Sequence, residues 1–173
     1  MYEVLLATFS IGVLTKFADL IVDEGLGKKW MAYAGGIAYG VLIAYVIAGY
    51  PLLAPLGLAV ILAVLLTKKI DSKPHVLGVA SMVLFLAFWG LESLDVILLA
   101  VFLAAGVADE IVSDFADRGR VKGIPAKILE KRVVLDVTAF FVSFVTGYWI
   151  IFLGIFSFDI GYLLVRRTGE RFE

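Results

Sequence analysis

Residues 91–119 read LESLDVILLAVFLAAGVADEIVSDFADRG. From Val96 the run is apolar and carries no charge until Asp109. Glu110, Asp114 and Asp117 follow within about two helical turns. About 20 apolar residues cross a hydrocarbon core of roughly 30 Å. The stretch therefore predicts a membrane helix over 94–115 that ends in carboxylates.

The rest of the chain has the same character. Hydrophobic residues make up 62% of its 173 positions, against about 45–50% apolar in a soluble domain. The mean hydropathy is +1.01. This composition predicts an all-α, polytopic helix bundle, multi-pass in the cell membrane, filling 1–173 as a single domain with no room for a soluble one. The start, MYEVLLATF, lacks a basic region and a small-residue cleavage site, so it reads as a span and not as a leader. Cys is absent, which excludes disulfides and thiolate metal sites. Asn and Gln are absent too, and loss of thermolabile residues points to a thermophilic source.

Apolar runs and turn residues predict spans at 2–22, 30–49, 51–67, 76–91, 94–115, 131–147 and 149–166. Pro74 suits the first turn of the fourth, with Ser72 or Lys73 at its cap. Residues 133–165 exceed one crossing and offer Thr146-Gly147 or Gly154 as the break. Charge placement chooses between the counts. With seven spans and an outside N-terminus, all 15 Lys and Arg lie on the cytoplasmic side. With six spans plus a re-entrant or interfacial C-terminal segment, Arg166, Arg167 and Arg171 would lie outside. Seven spans, N-out and C-in, is the expectation.

Two short matches suggest duplication. Ala18-Asp19-Leu20-Ile21-Val22 resembles Ala108-Asp109-Glu110-Ile111-Val112, and Leu65-Leu66-Thr67-Lys68-Lys69 resembles Leu163-Leu164-Val165-Arg166-Arg167. They close spans one and five, then three and seven, as a parallel 3+1+3 repeat would.

The acids then form a constellation. Lys16, Asp19 and Asp23 share one helix face, as do Glu110, Asp114 and Asp117. Asp109 lies about 100° round the helix from Glu110 and faces another neighbour. Asp136 and Asp159 sit within later spans. A charge at membrane depth costs at least about 2.5–3.5 kcal/mol and so faces a partner or a cavity. Carboxylates paired this way suit a hard divalent ion, Mg²⁺ or Mn²⁺, shared with substrate phosphate. The expected ligands are Asp19, Asp23, Asp109, Asp114 and Asp117. Asp19, Asp109, Glu110 and Asp114 would act in catalysis, and Lys16, Lys68, Lys69 and Arg118 would meet phosphate charge.

The arrangement is similar in logic to membrane prenyltransferases, which set two Asp-rich motifs around a metal-diphosphate. Their motif begins Asn-Asp, and this chain has no Asn. Of the longer CDP-alcohol phosphotransferase pattern only Asp114-x2-Asp117 is present. Neither family is assigned.

Three functions compete. The first is a metal-dependent enzyme acting on a phosphorylated lipid or isoprenoid headgroup at the cytoplasmic face, a transferase or hydrolase. The second is a small cation- or proton-coupled transporter or channel, with Asp136 and Asp159 on its path. The third is a non-catalytic membrane subunit. The partners expected are membrane lipid and the lipid or isoprenoid substrate, without nucleic acid, and a homo-oligomer is allowed. His75, the single histidine, reads as a capping or surface residue, and Tyr33, Tyr39, Tyr45 and Tyr50 as packing anchors. Ala32, Gly36, Gly40 and Ala44 read as a face for close helix packing.

Overall fold

A computed structural model describes residues 1–70, 72–117 and 133–169. Among them are seven α-helices and no strand: α1 (Tyr2–Asp23), α2 (Lys29–Gly49), α3 (Ala54–Leu66), α4 (Lys73–Trp89), α5 (Val96–Asp117), α6 (Val133–Thr146) and α7 (Ile150–Gly169). Each corresponds to one apolar run of the sequence. By length and composition, α1, α2 and the Val96–Phe115 part of α5 can each cross a membrane. The chain is a helical membrane protein on that ground. Helices α3, α4 and α6 are apolar but shorter, and α7 carries Asp159, Arg166 and Arg167.

Local chemistry explains the boundaries. Residues 51–53 form a turn, so α3 starts at Ala54 with Pro55 in its first turn, where the missing N–H costs nothing. Ser72 is the N-cap residue of α4, and Pro74 lies in its first turn. The Asp95 carboxylate accepts the Ile97 and Leu98 amides at the start of α5. The long 133–165 region breaks at Gly147, whose φ of 77° is left-handed and open to glycine at no steric cost. Gly154 stays helical and packs toward Leu53. Helix α3 ends in a Schellman turn: the Lys68 amide reaches Leu65 O and the Lys69 amide reaches Val64 O. Lys68 takes the left-handed position, φ 57°, and the turn sends Lys69 back toward the bundle.

The packing order is a closed circuit. Helix α1 lies between α2 and α7, α2 meets α3, α3 packs on α5, α5 on α6, and α6 on α7. Helix α4 stands against α2. Val4, Phe102, Leu135 and Ile151 are fully buried where α1, α5, α6 and α7 converge.

Two of these contacts bring backbones together. Between α1 and α7, a Cβ on Gly12 would collide with the Phe158 carbonyl, and one on Gly161 with the Phe9 carbonyl. Between α2 and α4, Gly36 faces the Pro74 carbonyl and Gly40 the Gly78 carbonyl in the same way. The small-residue face of α2 does the packing that its spacing implied.

Replacing Gly40 by Val should therefore cost about 3 kcal/mol or more, since the obstacle is backbone that cannot yield. Gly49→Ala, where a methyl meets nothing within 4 Å, should change stability by less than about 0.5 kcal/mol. Thermal unfolding in detergent checks both, with a drop of roughly 6–12 °C expected for Gly40→Val.

Candidate functional site

The ends of α1, α3, α5 and α7 and the start of α4 meet at one end of the bundle. They surround a cavity of about 540 Å³ to which all seven helices contribute. Its polar lining comprises Thr15, Asp19, Asp23, Tyr39, Lys69, His75, Glu110, Asp136, Asp159, Tyr162 and Arg166.

Asp19 is the hub. Its Oδ1 lies 2.7 Å from His75 Nε2, and Tyr162 donates its hydroxyl to Oδ2 at 3.1 Å. On the far side of the ring, His75 Nδ1 is 2.7 Å from the Tyr39 hydroxyl. An ionised carboxylate only accepts, so Nε2 donates to Asp19, and a second hydrogen bond joins Nδ1 to the Tyr39 hydroxyl. The chain Tyr39–His75–Asp19–Tyr162 thus ties α2, α4, α1 and α7 together. Tyr39 is buried, and its ring fills the space beside Gly78. Lys16 does not reach the cavity wall; its ammonium stands 5.6 Å from the Tyr162 ring centroid, a cation–π geometry.

The opposite wall is built on Glu110. Lys69 Nζ is 3.2 Å from Glu110 Oε2 and donates to Ser113 Oγ at 2.8 Å. The Schellman turn after α3 makes this reach feasible. Glu110 is buried, which strengthens the pairing relative to an exposed ion pair.

Asp109, the neighbour of Glu110, points elsewhere. It is 4% exposed and accepts the Val134 amide at 2.9 Å and the Leu135 amide at 2.7 Å. Helix α6 begins with amides that have no intrahelical partner, and Asp109 supplies both acceptors and the charge that its positive end favours.

Of the residues expected to act, Asp19, Asp23, Lys69, Glu110, Asp136 and Asp159 come to one cavity. Asp109 is a helix cap, Lys68 is an exposed turn residue, and Asp114 is half-buried on α5 outside the cavity wall. Arg118, Asp71 and the side chain of Asp117 lie outside the described residues. Among the described residues, no three His, Asp or Glu form a group that could hold a metal ion. His75, Tyr39, Tyr162 and Arg166 join the site without a motif to announce them. Only the helical spacing of Asp159, Tyr162 and Arg166 hinted that they share a face.

Beyond the polar cavity lies an apolar recess of about 100 Å³ lined by Thr8, Val46, Leu53, Leu56, Gly154 and their neighbours. Ile11, Ile43, Val60, Ile61, Phe158 and Asp159 belong to both walls. The two spaces therefore adjoin, with Asp159 at the junction. Comparison with known proteins gives no counterpart: no family model, curated protein or solved structure matches the chain.

Asp109→Asn leaves one acceptor oxygen for two amides and removes the charge at the helix start. It should cost about 1–2 kcal/mol of stability, read as a lowered unfolding midpoint in detergent. Asp23→Asn, at an exposed carboxylate, should leave that midpoint unchanged.

Proposed function

We propose that the chain is a small cation- or proton-coupled membrane carrier. Its seven helices would span the membrane N-out and C-in, and its charged cavity would open to the cytoplasm. The observation that carries this reading is the ring of helices around one charged cavity at its end. With α4 set aside, exchanging α1, α2 and α3 with α5, α6 and α7 maps the circuit of the other six helices onto itself: α1·α2 becomes α5·α6, α2·α3 becomes α6·α7, and α3·α5 becomes α7·α1. That is what a parallel 3+1+3 duplication with α4 as its linker would produce, and parallel repeats recur among carriers with the binding site between the halves. Acids facing such a cavity commonly mark ion or proton paths, and Asp136 and Asp159 face this one. Toward the other end the cavity adjoins the apolar recess along Ile11, Ile43, Val60 and Ile61.

Flux into proteoliposomes tests the carrier. Purified protein should move protons or small cations (potassium, sodium, ammonium) faster than empty vesicles do. Asp159→Asn and Asp136→Asn should each lower that rate at least about tenfold. Flux equal to empty vesicles across the panel would refute the reading, as would variants that transport like the parent.

A second reading has one observation in its favour. A polar chamber beside an apolar recess also suits a lipid headgroup and the start of its tail. The function would then be a metal-dependent enzyme on a phosphorylated lipid or isoprenoid, with Mg²⁺ or Mn²⁺ at Asp19 and Asp23 and phosphate near Lys69. Calorimetry with Mg²⁺ should in that case show saturable binding strengthened by pyrophosphate and lost in Asp19→Asn.

A further inference from the structure

Lys16 precedes the end of α1 at Asp23 by about 10 Å, at 1.5 Å per residue. Helix α1 is long and apolar enough to cross a membrane, so this ammonium lies inside the span. A charge at that depth is costly and meets a partner, a cavity or the headgroups. Asp19 and Asp23 follow on the same helix face, yet neither pairs with it. Asp19 engages His75 instead, and Lys16 takes part in no hydrogen bond or ion pair among the described residues. It lines neither the polar cavity nor the apolar recess. Lys16 is half-buried, so its exposed part faces outward from the bundle, along the seam where α1 packs on α7. What holds it there is a ring: the ammonium stands 5.6 Å from the Tyr162 centroid, while the Tyr162 hydroxyl donates to Asp19. A ring face attracts a cation but gives the three donors of an ammonium no oxygen to bond.

We propose that Lys16, seated on the Tyr162 ring, binds the phosphate of an anionic membrane lipid at the α1–α7 seam. The medium outside the seam is lipid, and the charged oxygens within reach of a long basic side chain there are headgroup phosphates. Ile160 and Leu164 flank Tyr162 along α7 and are exposed apolar residues, a surface for the lipid's acyl chain. The site lies outside the cavity and is independent of what the cavity carries.

The test is calorimetry on the full chain in detergent, stripped of copurified lipid, with dioctanoyl phosphatidylglycerol. Dioctanoylglycerol keeps the chains without the phosphate, and glycerol phosphate keeps the phosphate without the chains. The phosphatidylglycerol should bind saturably and at least about tenfold more tightly than either control, the factor of a charge-assisted hydrogen bond. Lys16→Gln should lose at least about tenfold of that affinity, and Lys16→Arg, which keeps the charge, should stay within about threefold of the parent. Tyr162→Phe keeps the ring and should bind within about twofold of the parent. Lys29→Gln, at an exposed lysine, should do the same. Lys16→Met, which keeps the length of the stem, serves if Lys16→Gln does not fold. A neutral variant that binds phosphatidylglycerol like the parent overturns the proposal. So does an equal loss for dioctanoylglycerol, which marks a packing role. Glycerol phosphate binding as tightly as the lipid assigns the site to a free anion and overturns the lipid. A failed flux assay changes none of these outcomes.

Discussion

Where Gly12 meets the Phe158 carbonyl and Gly40 meets the Gly78 carbonyl, two helix backbones touch with no side chain between them. That approach matters because a bundle in lipid gains little from hiding apolar side chains; the tails outside are as apolar as leucine. What remains is dispersion at close range and polar pairing. The glycines supply the first. They fix α1 on α7 and α4 on α2, and with them the positions of Asp19, His75, Tyr39 and Tyr162. The hydrogen-bond chain is therefore a product of backbone contact one or two turns away. The 2.7 Å bond between Asp19 and His75 joins α1 to α4, each of which a glycine contact holds against its own neighbour, α7 or α2.

The carboxylates divide by the partner each one meets. Asp19 holds a histidine and a tyrosine, Glu110 holds a lysine, and Asp109 holds two amides. Asp19 and Asp109 occupy matching places in two similar stretches of sequence yet do unlike work. The difference lies in their neighbours: α1 ends beside the start of α4 and the side of α7, whereas α5 ends beside the start of α6.

The helices were legible because runs of apolar residues separated by Gly, Pro and charge leave few alternatives. The break at Gly147 and the close-packed face of α2 were legible for the same reason: glycine spacing has direct steric meaning. The site was legible only in part. That the acids gather at one end followed from their positions along helices whose directions alternate. Their partners did not follow, because His75 lies 56 residues from Asp19 in the chain and Tyr162 lies 143 away. No local pattern encodes such a meeting. The pair Asp109-Glu110 shows the limit well. Their angular separation said that they face different neighbours, but not that one neighbour is a helix start and the other a lysine returned by a left-handed turn.

The cap on α6 also bears on the order of assembly. The Val134 and Leu135 amides find their acceptors on a residue 25 positions before Val134, inside a helix already complete when they are synthesised. Until Asp109 is in place, the first turn of α6 has no acceptors within its own helix. Once it is, that turn gains two acceptors and a charge at a stroke. Helix α5 thus acts as a template for its successor, and the two are stitched together before α7 is synthesised to close the ring against α1.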